Sequence, residues 1–64
     1  MYKCYINCVC TMDCPDFDMI RGTLFGGWLE FEKNGEPTFH IEHQDGCEIV
    51  CGLEWFKEFF ELVE

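Results

Sequence analysis

The chain has 64 residues, which is enough for one domain, residues 1–64, and no more. An apolar fraction of 48% with 17% aromatic residues excludes low-complexity disorder, because chains that stay disordered lack this much apolar surface to bury. Four lysines and arginines against 13 aspartates and glutamates give a net charge of −9. This charge excludes direct binding to nucleic acid phosphates and to anionic membrane surfaces.

Two strands and a loop are predicted in the first half of the chain. Residues 2–9 alternate loosely between the two sides and are rich in β-branched and aromatic side chains, which predicts a strand. Residues 11–18 contain a proline and three aspartates and predict a loop. Residues 23–32 predict a second strand, in which Gly26 and Gly27 indicate a bulge or a close backbone approach.

A third strand is predicted over residues 37–43, after a loop that ends at Gly35. With a three-residue loop, Leu29 lies opposite Phe39 and one face of the hairpin is mostly apolar, as a half-buried hairpin requires. A two-residue Asn-Gly turn would mix apolar with polar side chains on each face. We therefore expect Gly35 in the left-handed conformation and Pro37 at the start of an outer strand.

The last third of the chain predicts a turn and then a helix. Gln44-Asp45-Gly46 is the turn, and from about Glu48 the apolar spacing becomes helical. The apolar arc of this helix consists of Leu53, Phe56, Phe59, Phe60 and Val63. The predicted fold class is thus a small α+β domain, a zinc-stapled three-stranded antiparallel sheet with one C-terminal helix.

Six cysteines and two histidines supply the ligands of a predicted structural Zn²⁺. No signal peptide is visible, so we expect a cytoplasmic protein, and there clustered cysteines are more often metal ligands than disulfides. Structural zinc takes four N or S ligands, typically as two short-spaced pairs. The predicted ligands are Cys10 with Cys14 and Cys47 with Cys51, and the alternates are Cys8, His40 and His43. A secreted peptide with disulfides is the competing interpretation.

Catalysis is not expected. The sequence has no Gly-rich phosphate loop, no HExxH motif, no nucleophile elbow and no redox CxxC. His40, Glu42 and His43 could be drawn into a catalytic zinc site, but alternating polar residues on a solvated strand face explain them better. We therefore expect a protein that is not an enzyme.

An acidic surface is the predicted binding feature. A negative field of this size can imitate the phosphate charge that a nucleic-acid-binding protein expects, as a DNA mimic does, and it steers association with a basic protein surface. Solubility alone is the competing explanation. The candidate partner-binding residues are Glu54, Glu58 and Glu61 on the helix, Asp13, Asp16 and Asp18 in the loop, and Trp55 at the edge of the apolar arc.

In size, charge, the pairs Cys10/Cys14 and Cys47/Cys51 and its lack of catalytic motifs, the chain resembles the small acidic anti-CRISPR proteins of bacteriophages. It is similar in particular to a zinc-containing inhibitor of the type II RNA-guided DNA nuclease. The resemblance covers the whole chain but is one of kind, so it assigns no residue a role. It implies a monomer or weak dimer in the bacterial host cytoplasm that binds a CRISPR effector nuclease and blocks DNA loading. The alternative is a structural-zinc adaptor within a larger assembly.

Overall fold

A computed structural model describes residues 2–33, 35–43 and 46–63 of the chain. Asn34, Gln44 and Asp45, which belong to the predicted turns, lie outside the described residues. The elements, in chain order, are β1 (Tyr2–Cys10), a 3₁₀ turn (Pro15–Phe17), β2 (Leu24–Phe31), β3 (Pro37–Glu42), β4 (Glu48–Cys51), α1 (Leu53–Phe59) and β5 (Phe60–Val63).

The strands form one antiparallel sheet in the order β4-β3-β2-β1-β5. The first four strands follow one another as neighbours, and β5 returns to pair with β1. Helix α1, only 7 residues long, connects the two edge strands and packs against β3 and β5. The chain therefore passes from one edge of the sheet to the other across its inner face.

The register predicted for the β2–β3 hairpin is confirmed. Leu29 pairs with Phe39, and Gly35 has a φ of 84°, a left-handed conformation that glycine adopts at no steric cost. The Gly35 amide donates to the Glu32 carbonyl at 2.9 Å, and the Glu32 amide donates to the Glu36 carbonyl at 3.3 Å. These two bonds are typical of a three-residue hairpin loop that ends in a left-handed glycine.

The β3–β4 hairpin is built in the same way, with Gly46 at a φ of 89°. The Gly46 amide donates to the His43 carbonyl at 3.1 Å, and the His43 amide donates to the Cys47 carbonyl at 2.8 Å. This hairpin makes β3 an inner strand, so the expectation that Pro37 begins an outer strand is wrong. The proline is tolerated because β4 pairs with β3 only over residues 39–42, and its ring nitrogen faces the side where β4 has ended.

Gly27 is the close backbone approach expected from the Gly26–Gly27 pair. A Cβ on Gly27 would lie 2.0 Å from the carbonyl oxygen of His40 on β3, whereas a Cβ on Gly26 would meet the Asn7 side chain at 3.9 Å. The His40 oxygen belongs to the backbone and cannot rotate away. Position 27 of β2 therefore requires glycine, and position 26 does not.

The core is small, and half of its buried residues are phenylalanines. Phe39 and Phe56 stack with their ring centroids 4.0 Å apart, and Phe56 and Phe60 stack at 5.4 Å. Phe56 is the buried residue of α1, and it joins the inner face of β3 to β5. The buried apolar residues are Cys8, Cys10, Met19, Phe25, Phe39, Ile41, Phe56 and Phe60.

The predicted fold class is wrong. The domain is mostly β, with a five-stranded sheet in place of three strands. The helix predicted from about Glu48 to the end of the chain is confined to Leu53–Phe59. Across the described residues, no group of three or more His, Cys, Asp or Glu side chains is placed so that it could hold a metal ion.

The error in the last third has a physical cause. Ile49 and Cys51 are half-buried while Glu48 and Val50 are exposed, and over four residues this period of two also fits a helical arc. At the other end, the backbone of Phe60 turns extended, with φ −136° and ψ 159°. β4 is a strand because it pairs with β3, and β5 is a strand because it pairs with β1. These tertiary contacts override a weak local preference for helix.

Candidate protein-binding site

Cys8 and Cys10 of β1 and Cys51 of β4 meet at the core rather than at a surface site. Cys8 and Cys10 are buried on the same face of β1, and Cys51 is half-buried at the end of β4. The pKa of the Cys8 thiol is raised from 9.0 to about 11, chiefly by burial and further by the neighbouring thiols of Cys10 and Cys51. Burial also raises the pKa of Cys51. The thiols of Cys8 and Cys51 therefore stay protonated at neutral pH and pack as core residues.

The four predicted zinc ligands are not brought together. The Cys10 thiol donates to the Met12 carbonyl at 3.0 Å, and Cys14 packs against the core just before the 3₁₀ turn. Cys47 is exposed, at the entrance to β4. All six cysteines are thiols in this structure rather than disulfides. Zinc binding by Cys10, Cys14, Cys47 and Cys51 stays a prediction.

His40, an alternate zinc ligand, is held on the outer face of the sheet by carboxylates. Its ring stacks on that of Trp28, with centroids 4.9 Å apart and an angle of 5°. Its Nδ1 contacts Glu48 Oε1, and its Nε2 lies 3.6 Å from Glu30 Oε1. The same Glu30 oxygen accepts from Trp28 Nε1 at 2.8 Å, and Lys3 Nζ lies 4.6 Å from the Trp28 ring centroid. The indole face is thus occupied from within the protein.

His43, the other alternate, ties the acidic loop to the sheet. Its Nε2 donates to the Asp18 carbonyl at 3.2 Å, and its ring lies 5.9 Å from that of Phe25. Asp18 itself has a φ of 52°, a conformation that aspartate tolerates better than most residues. The Asp13 carboxylate accepts from the Arg21 amide at 2.7 Å. These contacts give the loop a defined path, with the carboxylates of Asp13, Asp16 and Asp18 exposed.

Trp55 brings the acidic loop and the helix together. Its ring makes an edge-on contact with Phe17 of the 3₁₀ turn, at 5.6 Å between centroids, and packs on Phe59 at 4.4 Å. Since Phe17 stands between Asp16 and Asp18 in the chain, this aromatic contact sets the loop carboxylates beside the helix that carries Glu54 and Glu58. Trp55 is half-buried, so one part of its ring packs and another part is available.

Two grooves share Trp55 as a wall. The apolar groove has a volume of about 350 Å³ and is lined by Phe17, Ile49, Val50, Cys51 and Trp55. The acidic groove has a volume of about 460 Å³ and is lined by Glu36, Pro37, Gly52, Leu53, Glu54 and Trp55. The acidic groove follows the apolar groove along the direction of β4. Its lining residues Gly52 and Leu53 come directly after that strand in the chain.

The predicted acidic surface is therefore divided. Asp16, Glu54 and Glu58 are exposed on the side of Trp55, and in the described part of the chain none of them forms an ion pair with a lysine or arginine. Lys57 is the cation of the same helix. Glu61 lies on β5, paired with Val9, at the opposite edge of the sheet from β4.

Sequence reasoning missed Phe17, Val50 and Glu36 as parts of this surface. Phe17 belongs to a segment predicted only as a loop, and Val50 to one predicted as a helix. The alternation in residues 48–51 and the glycine that follows them were the available signal for a short strand. The topology that sets Glu36 beside Leu53 has no local signal in the sequence.

Comparison with known proteins gives no relative: no protein-family model, no curated protein and no solved structure matches the chain. Among the described residues, no helix has the length and apolar character needed to cross a membrane.

Proposed function

We propose that this chain is a non-enzymatic binding domain that docks on a basic surface of another protein. The observation that carries the proposal is the pair of grooves around Trp55, one apolar and one acidic. Apolar grooves with exposed aromatic walls supply contact area, and carboxylates at their side supply orientation and fast association. A net charge of −9 gives a basic partner the long-range attraction that a neutral partner lacks.

The contacts of His40 and His43 support a function without catalysis. Both ring nitrogens of His40 lie beside carboxylates, those of Glu48 and Glu30. The Nε2 of His43 is engaged by the Asp18 carbonyl. Neither residue lines the apolar or the acidic groove. A general base must lie within reach of a bound substrate's proton, and these contacts favour a structural use for both side chains.

The proposal is tested with a short blocked peptide of alternating arginine and valine, (Arg-Val)₃-Arg, and a glutamate-valine peptide as the charge control. We expect the basic peptide alone to bind, and its affinity to fall as salt screens the charges. Glu54→Lys should weaken binding by about tenfold, because Glu54 lines the acidic groove. Isothermal titration at low and high salt measures both effects.

Glu61→Lys is the matched control, because it makes the same change in net charge on β5. We expect it to change the affinity by less than about twofold. Equal losses for Glu54→Lys and Glu61→Lys would mean that the peptide senses net charge and not this site. No binding of the basic peptide by the unchanged chain would overturn the proposed function.

Inhibition of a type II RNA-guided DNA nuclease is the particular case that the resemblance to anti-CRISPR proteins implies, and we propose it as such. That nuclease holds its heteroduplex in a positively charged channel, which is the kind of surface the acidic groove complements. A DNA-binding assay on the guide-loaded nuclease, with the chain and with its Glu54→Lys variant, tests this partner. Target DNA bound equally with and without the chain would remove it.

A further inference from the structure

The outer side of β4 carries unpaired backbone groups. The His43 amide donates to the Cys47 carbonyl, which shows which residues of this segment bond to β3. Because backbone groups alternate in direction along a strand, those of Cys47 and Ile49 point toward β3. The intervening residues, Glu48 and Val50, direct their N–H and C=O groups away from the sheet. In the part of the chain that the structure describes, no strand pairs with this side of β4.

The apolar groove runs along this open side. It is lined by both Ile49 and Val50, whose side chains point to opposite faces of the sheet because they are consecutive in a strand. A groove that touches both faces lies at the strand's edge and not over one face. Its far wall is formed by Phe17 and Trp55, and the space has the position of a missing neighbouring strand.

The charges at this edge select the side chains of an added strand. Glu42 and Glu48 are direct cross-strand partners, both exposed, and like charges in this arrangement destabilise a sheet. A lysine or arginine beside Glu48 would relieve that repulsion from the outer face. The next residue of the added strand points to the other face, where it meets Ile49 and Trp55.

We propose that the partner binds as an extended segment that adds a strand to the open side of β4, with basic and apolar residues in alternation. This inference rests on the proposed function and specifies how the basic partner is recognised. Backbone hydrogen bonds to Glu48 and Val50 give affinity, and the alternating side chains give specificity. A second copy of this chain is disfavoured as the occupant, because each copy carries a net charge of −9.

The experiment compares the peptide (Arg-Val)₃-Arg with two N-methylated forms, one methylated on the arginine amides and the other on the valine amides. Both forms keep the charge and the side chains, but successive residues of a strand bond to opposite sides. We expect one form to bind about tenfold or more weakly and the other to bind like the parent peptide. Loss with arginine methylation indicates antiparallel addition, and loss with valine methylation indicates parallel addition.

Val50→Pro tests the same hydrogen bonds from the side of the protein. It removes an N–H that faces away from β3, and proline is tolerated on an edge strand in that position. Val50→Thr, which keeps the N–H and the branched shape, is the control. We expect Val50→Pro to weaken binding about tenfold, and Val50→Thr, which loses only an apolar contact in the groove, to weaken it by less than about threefold.

The outcomes separate the two proposals. Salt-sensitive binding that is indifferent to both methylation patterns and to Val50→Pro would overturn strand addition and leave the proposed function standing. Failure of every basic peptide to bind would overturn both. If Val50→Pro does not fold by circular dichroism, the methylated peptides decide alone. Salt-insensitive self-association of the chain, detected by sedimentation and abolished by Val50→Pro, would assign the edge to a second copy instead.

Discussion

The two edges of this sheet have similar lengths and different surroundings. β4 and β5 each span 4 residues and each pairs on one side only within the described residues. On β4, the backbone groups of Glu48 and Val50 face outward. Before β5, the Thr11 amide donates to the Phe59 carbonyl at 2.8 Å. Because the backbone groups of successive residues point to opposite sides, those of Phe60 and Leu62 face away from β1.

The β5 edge is partly closed by its own helix. The Phe60 amide donates to the Phe56 carbonyl as the last bond of α1, so Leu62 alone keeps an outward amide. The groove on this side is lined by Tyr5, Ile6, Asn7, Leu62 and Val63. None of these five residues carries a charge, whereas the acidic groove beyond β4 contains Glu36 and Glu54.

An open edge becomes a binding site only where its surroundings select a partner. Natural sheets protect edges with short strands, charges and covering segments, because an unpaired edge invites unspecific pairing. Here the connection through α1 occupies part of one edge, and carboxylates stand beside the other. Repulsion between like copies and attraction for a basic segment then come from the same charges.

The largest effect is expected in the middle of the sheet, where one change disrupts both edges. Gly27→Ala places a Cβ 2.0 Å from the His40 carbonyl oxygen and should cost more than about 4 kcal/mol. A domain of this length is stable by about 3–10 kcal/mol, so this variant should lose a large part of its stability. Gly26→Ala, whose Cβ would meet Asn7 at 3.9 Å, is the control. Urea unfolding monitored by circular dichroism compares them, and equal midpoints would show that β2 and β3 can separate at this point.

An intermediate effect is expected where the two halves of the sheet meet in the core. Cys8 lies on β1 and Cys51 on β4, and the folded pKa of Cys8, about 11, exceeds the ordinary value of 9.0. Since the folded state disfavours the thiolate, this contribution to stability is complete below pH 9.0 and is lost as the pH rises toward 11. At about 1.4 kcal/mol per pKa unit the loss amounts to about 3 kcal/mol.

Denaturant unfolding between pH 8 and pH 11 measures this loss, and the comparison of variants isolates it from the titration of lysines and tyrosines. Cys8→Ala should flatten the decline in the free energy of unfolding. Cys4→Ala, which removes a thiol outside the buried core, should keep the decline of the unchanged chain. If the free energy of unfolding declines equally with pH in the unchanged chain, Cys8→Ala and Cys4→Ala, the Cys8 thiol does not cause the decline.

The sequence predicts the inner part of this fold better than its edges. β1, β2 and β3 follow from alternation, and the pairing of Leu29 with Phe39 follows from the need for one apolar face. β4 and β5 do not, because four residues are too few to separate a period of two from a helical arc. The pairing of β5 with β1 joins residues as distant as Asn7 and Val63, and no local signal specifies such a contact.

The candidate site divides in the same way. Trp55 and the carboxylates around it could be chosen from composition and spacing, because an aromatic residue among acids stands out in a short chain. The zinc pairs depend on spacing alone, and spacing does not show that the alternation of β1 turns Cys10 into the core. The open edge at Val50 depends on which strand is outermost, so it could be found only once the topology was known.

The smallest effect is expected at the β5 edge. Leu62→Pro removes the outward amide of β5, and Val50→Pro removes one of the two outward amides of β4. In neither case does the amide bond to the neighbouring strand. We expect Leu62→Pro to change the affinity for (Arg-Val)₃-Arg by less than about twofold, because the groove beside it offers no carboxylate to the arginines. Titration calorimetry on the two proline variants measures the contrast. A loss in Leu62→Pro as large as that in Val50→Pro would mean that an exposed backbone alone recruits the peptide, and the carboxylates beside β4 would then have no part in choosing the edge.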